Sequence, residues 1–375
     1  MNGLRHVHES TGRWAAWADL VAGIVPLVED PATGEPRTGR EEEWSLVADS
    51  RVGLARHRRD HASILPLLQK RVSVNRRLAV TALTADPAAL DDAQRNHLRT
   101  LAISLELLGT FQAGTGDPAC LTALGEAKAL HERLGLRREA AIVAFNLGHA
   151  YKDVRGVRDL DVSEAAYREG LALSNEGDRS LRAACHGQLG CVAWERFKDA
   201  CRGGVADPEI VHRHLQAAVE GYHQQLALAP EEDHNVRGVA HNQLGVIFAM
   251  IGATDSAANH YFLSIRHDEA SGNSYGAAQT RFNVADLYRK AQRFDDALAY
   301  ARAARDGFAR FEGRAAADVE DAERLIARIE RKDATVDSLA SVTNRRTAAW
   351  MSVWRRWCGW WRRGLSRGWG GRSSG

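Results

Sequence analysis

The sequence predicts an all-α solenoid of stacked helix-turn-helix repeats, on three observations. A short pattern recurs: Asn146-Leu147-Gly148 then Tyr151, Gln188-Leu189-Gly190 then Trp194, Gln243-Leu244-Gly245 then Phe248, and Asn283-Val284-Ala285 then Tyr288. The small residues Gly148, Gly190, Gly245 and Ala285 stand 42, 55 and 40 residues apart. A period near forty in helical sequence marks repeats that must stack to bury their apolar faces. Between the copies, apolar residues keep helical spacing, as in Ala257, Tyr261 and Ile265 at i, i+4 and i+8.

The elements follow in order. Trp14 to Val28 reads as a helix with Trp17, Leu20, Val21 and Val25 on its inner side. Residues 31–38, with two prolines and a glycine, read as a loop. Glu42 to Arg58 and His61 to Val74 read as a helical pair. Asp86-Pro87 breaks the pattern, and Asp91 is placed to cap a helix from Asp92 to Phe111. A turn follows at residues 114–118, and a faint further copy begins at Leu107-Leu108-Gly109.

The unit from Arg237 to Ile265 is the clearest copy. Leu244 and Gly245 share a helix with Phe248, a turn is expected at Gly252, and Ala257, Tyr261 and Ile265 line the second helix. Gly245 is expected to let the two helices approach closely, because a larger side chain would hold the backbones apart. Arg314 to Arg331 closes the array as an amphipathic helix with Val319, Ala322, Leu325, Ile326 and Ile329 inward. The expected divisions are degenerate helical pairs over 1–100, repeats over 101–312, a capping helix over 313–332 and a basic tail over 333–375.

The pattern resembles the tetratricopeptide repeat (TPR), whose signature is Leu-Gly, a Tyr three residues on, a turn glycine, then small and aromatic residues on the second helix. Leu244, Gly245, Phe248, Gly252, Ala257 and Tyr261 match it position for position. The last copy matches with Ala285, Tyr288, Ala297 and Ala304 but has Ala301 where an aromatic is usual. The second matches with Leu189, Gly190, Ala218, Tyr222 and Pro230 around a long insertion at residues 201–208, and the first with Leu147, Gly148, Tyr151 and Tyr167. The resemblance spans roughly residues 101–332. It implies a right-handed solenoid whose first helices line a concave, protein-binding face. The layout is also similar to the helical-repeat sensor or scaffold sections of bacterial signalling proteins. Those that are ATPases carry a nucleotide-binding domain upstream, and this chain has no phosphate-binding Gly-x-x-x-x-Gly-Lys-Ser/Thr loop.

Composition fits such a protein: 45% hydrophobic and 26% charged residues over 375. The net charge of +2 hides an asymmetry. Residues 338–375 hold eight Arg and no acid, which leaves 42 basic against 48 acidic residues, net −6, in the rest. An acidic body is not expected to bind nucleic acid. The five cysteines are odd in number and their spacings fit no zinc motif. No secretory signal is evident near the start and no apolar stretch suits a membrane span, so a cytoplasmic setting is expected.

No catalytic motif of the zinc-protease, hydrolase-elbow or Cys-x-x-Cys kind occurs, and no enzyme activity, metal or cofactor is expected. His212 and His214 read as solvated surface, and Cys191 with His186 and Glu195 as packing rather than a nucleophile cluster.

The residues expected to bind sit beside the core positions. An amide precedes the Leu or Val in all four copies: Asn146, Gln188, Gln243 and Asn283. In the TPR branch represented by kinesin light chain, an Asn there holds the backbone of an extended peptide. An amide suits the task because it both donates and accepts without a charge to desolvate. The other reading is that the amides bond to neighbouring helices and hold register. The same face carries His149, Lys152, Trp194, Asp286, Arg289 and Lys290, a mixed set that fits a mixed-charge peptide or a partner's helix.

Six of ten Trp fall in the last 26 residues. On a helix, Trp350, Trp354, Trp357 and Trp361 share one face, with Arg355, Arg356, Arg362 and Arg363 opposite. This pattern fits a membrane surface, an acidic partner or nucleic acid. It also fits sequence read out of frame from a GC-rich gene. The expected function is a non-catalytic protein- or peptide-binding scaffold. The alternatives are a regulatory sensor whose solenoid changes shape on binding, and a membrane-surface adaptor working through the tail. The ligand and the oligomeric state are left open.

Overall fold

The computed structural model describes residues 14–202 and 208–332, and every structural statement refers to these. They form fifteen α-helices and three short 3-10 turns, and no strand occurs among the described residues beyond an isolated bridge between Glu29 and Pro36. The chain divides into two compact units at Leu173/Ser174. In each unit every helix packs on its neighbours in sequence, consistent with an α-solenoid.

Unit 1 contains α1 (Trp14–Val28), α2 (Glu41–Arg58), α3 (His61–Leu78), the short α4 (Val80–Thr84), α5 (Asp92–Thr115), α6 (Cys120–Arg133), α7 (Arg137–Asp153) and α8 (Leu160–Leu173). Trp17 and Val21 of α1 are buried as expected, but Leu20 is 39% exposed. Trp44 of α2 is buried beside them and donates from Nε1 to Glu29 at 2.7 Å. The start of α5 follows from its first residues. Asp91 accepts from the Gln94 backbone at 2.7 Å while the Gln94 side chain accepts from the Asp91 backbone at 3.1 Å, a closed capping box. Leu98, Leu101, Ala102, Leu105 and Leu108 then form its buried stripe. Gly109 lies against Leu124 of α6, as the faint copy at that position requires.

Unit 2 contains α9 (Arg179–Arg202), α10 (Pro208–Leu228), α11 (His234–Met250), α12 (Thr254–Ala270), α13 (Ser274–Lys290), α14 (Phe294–Ala309) and α15 (Ala316–Glu330). Its regularity explains the forty-residue period. Helices α11, α12 and α13 each have 17 residues. Each ends in a left-handed residue, Gly252 (φ 79°), Gly272 (φ 71°) and Gln292 (φ 59°). The next backbone N–H then bonds five residues back: Ala253 to Phe248, Asn273 to Asp268, Arg293 to Tyr288. This Schellman stop satisfies orphan carbonyls and reverses the chain. Helix plus stop is twenty residues, and two make a repeat. The 55-residue interval comes from longer helices, 24 residues in α9 and 21 in α10. Residues 203–207, inside the sequence insertion, lie outside the described residues.

The small residues sit at helix crossings. A Cβ on Gly245 would lie 2.5 Å from the Tyr261 ring, and one on Gly148 would lie 2.6 Å from Tyr167. At the α9–α10 crossing two glycines meet, since a Cβ on Gly221 would lie 2.6 Å from the Gly190 backbone. Among the described residues no helix is long and apolar enough to cross a membrane.

Candidate functional site

The repeated amides are the natural starting point. In unit 1, Asn146 of α7 donates from Nδ2 to Glu106 of α5 at 3.2 Å. In unit 2, Asn283 of α13 donates from Nδ2 to Asn242 of α11 at 3.1 Å. The acceptors stand three residues before Gly109 and Gly245, and the donors two residues before Gly148 and Ala285. The same offset thus links consecutive first helices in both units. Gln243 follows the rule by failing it: the position three before Gly190 is Gly187, which has no side chain to accept. Gln243 is buried, and Gln188 is half-buried with its Oε1 enclosed and without a hydrogen-bond partner. An amide has two donors and two acceptor lone pairs. Asn146 and Asn283 each use one N–H between helices, which leaves the carbonyl side of each for other work.

The charged residues of the expected groove lie deeper than an open surface would place them. His149 is 2% exposed, set edge-on to Phe145 and Tyr167. Lys152 is 4% exposed with its Nζ 3.3 Å from Asp153. Arg289 is fully buried and donates through Nε and Nη2 to Asp286 at 3.1 and 2.9 Å, while Lys290 reaches the other oxygen at 2.9 Å. Trp194 is buried and stacks on Phe197, centroids 5.0 Å apart. The cause is energetic: a buried cation needs an anion beside it, and these helices supply Asp153 and Asp286 from their own sequence. Of the ten expected groove residues, Asn146, Gln188, Asn283 and Lys290 remain half-buried. The expected tail residues Trp350, Trp354, Trp357, Trp361, Arg355, Arg356, Arg362 and Arg363 lie outside the described residues.

Burial also sets the electrostatics. It pushes the Glu106 carboxyl up to about 7, with the Glu139 charge adding to the shift. It holds His131, whose Nε2 is 4.0 Å from Glu106, below the usual imidazole range. Burial pushes the Cys185 thiol up to about 12, which disfavours the nucleophilic thiolate at neutral pH. Among the described residues no group of three or more His, Cys, Asp or Glu is arranged to hold a metal ion.

Two features escaped the sequence reading. The acceptors Glu106 and Asn242 were legible only with the inter-repeat offset in hand. A cluster of histidines on α10, α11 and α12 was signalled by seven-residue spacings, His234 to His241 and His260 to His267.

No protein-family model and no curated protein matches the chain. Among solved structures it is similar to the crystal structure of BtubC (BKLC) from P. vanneervenii, at 16% identity and a TM-score of 0.41, over 71% of this chain and 91% of that one.

Proposed function

We propose that the chain is a non-catalytic scaffold, a right-handed solenoid of TPR-type repeats, that holds an extended peptide or partner segment through the amides of its first helices. The observation that carries this reading is that Asn146 and Asn283, half-buried at the same repeat position, each spend one N–H between helices and keep the amide carbonyl outside that bond. A ligand backbone N–H would donate to such a carbonyl. The twenty-residue helix-and-stop module and the glycine-to-aromatic crossings support the TPR assignment.

The test is to pan the full chain against a displayed library of random peptides. The expected result is an enriched peptide family whose affinity falls about tenfold or more in Asn283→Ala, the loss of one or two hydrogen bonds. No enrichment, or enriched peptides that bind Gln188→Ala and Asn283→Ala as tightly as the parent, would sink the proposal.

A further inference from the structure

Five histidines of unit 2 meet where three consecutive helices pack: His223 of α10, His234 and His241 of α11, and His260 and His267 of α12. Seven residues are close to two helical turns, so each pair stays on one face of its helix. His234 Nδ1 meets His267 Nδ1 at 3.1 Å, and His241 Nδ1 meets His260 Nδ1 at 3.0 Å. His241 and His267 stack, with centroids 5.7 Å apart and planes 8° apart. His223 lies edge-on to His260, and Phe248 covers His260 on its other side.

The pair geometry distinguishes a metal from a proton. In both pairs the ring centroids are 5.3 Å apart. That equals the nitrogen–nitrogen distance plus the two ring radii, so the nitrogens meet head-on. A metal ion between head-on nitrogens would need roughly 4 Å, about 2.0 Å to each. What fits is a proton: an Nδ1–H on one neutral ring donating to Nδ1 of the other.

We propose that this cluster is an acid-triggered release between α11 and α12. With both rings of a pair protonated, neither Nδ1 can accept, the bond is lost, and cations are crowded together. Among the described residues no carboxylate lies within ion-pair distance of the five rings. Arg237 of α11 faces His241 and His267, and Arg266 of α12 stands beside His267. Two carboxyls stand nearby. Asp233 caps α11 next to His234, and Asp268 of α12 is held by Asn273 and Ser264, with Arg281 and Glu269 around it.

The direction of the pH effect follows from which state binds protons. Burial, then the neighbouring cations, holds His241 down to about 3, and burial lowers His260 and His267 as well. A histidine lowered in the fold contributes stability that is present above its unfolded value of about 6.5 and lost as pH falls below it. Asp268, raised to about 7, and Asp233, also raised, have the opposite sign: they take up protons in the fold before the unfolded chain does. Three lowered histidines outnumber the two raised carboxyls, so acid below about 6.5 favours the open segment.

The test is segment-resolved hydrogen exchange on the full chain between pH 7.5 and 5.5, corrected for intrinsic exchange rates. The α11–α12 segment should open roughly threefold or more further at pH 5.5 than at 6.5 and recover on return to pH 7.5, with α14 and α15 as the internal reference. The variant carrying His234→Asn, His241→Asn, His260→Asn and His267→Asn keeps donors and acceptors but has lost the titrating rings; with only the raised Asp233 and Asp268 left, it should show no added opening at pH 5.5. A flat wild-type response, or a variant as steep as wild type, overturns the proposal. Where that variant does not fold, an NMR titration of the wild-type rings decides. His241 neutral in the closed state at pH 5.5 while α11–α12 exchanges faster supports the proposal; α11–α12 still closed, whether the rings charge near 6.5 or stay neutral, overturns it.

Discussion

At Gly245 the absence of a side chain is a packing requirement, because Tyr261 occupies the space a Cβ would take and is itself only 3% exposed. Gly245→Ala should therefore cost about 1–3 kcal/mol in urea unfolding. Gly125 is the contrast. It lies inside α6 with nothing within 4 Å of a built Cβ, so Gly125→Ala should stabilise by about 0.5–1 kcal/mol through the unfolded chain. A second residue-scale expectation concerns Arg289, which the sequence placed on a binding face. Its guanidinium is fully buried on Asp286, so Arg289→Ala should destabilise by about 3 kcal/mol, with Lys290 left as the remaining counter-charge. Differential scanning calorimetry would read it, and a neutral result would return Arg289 to the surface. The role of Gly245 was legible because a missing side chain leaves a mark in the pattern. The burial of Arg289 was not, because charge alone does not tell whether a partner is supplied from one turn away.

At the scale of elements, two devices set the repeats: the left-handed stop and the amide bond between first helices. The stop was only partly legible. Gly252 announced it, but Gln292 does the same work with a side chain that disfavours positive φ. The Asp91 cap and the span of α1 agreed with the sequence because capping residues and apolar stripes are local signals. Leu20 did not, since which flank of a stripe faces inward depends on where α2 lies. The amide bond needed the three-dimensional offset. Asn242→Ala and Asn283→Ala should each cost about 1 kcal/mol, and the double-mutant cycle should return a coupling of about 0.5–1.5 kcal/mol. Zero coupling in denaturant melts would mean that the 3.1 Å contact does not hold the register of α11 and α13.

At the scale of the molecule, the all-helical architecture was legible because the same mistake-intolerant positions recur four times, and recurrence survives drift that would hide a single motif. The break at Leu173/Ser174 had no such signal. The ligand was not legible either. Residues expected to face a ligand instead bury and pair within their own helices, as Lys152 does with Asp153 and Asp286 with Arg289. The account's central claim is that the first helices of unit 2 receive an extended peptide. The direct measurement is photo-crosslinking of a panned peptide carrying a photoreactive residue, with the sites mapped by mass spectrometry. Crosslinks concentrated on α9, α11 and α13 near Gln188, Gln243 and Asn283, and lost in Asn283→Ala, are predicted. Crosslinks confined to α10, α12 and α14 would contradict the claim and place binding on the opposite helices.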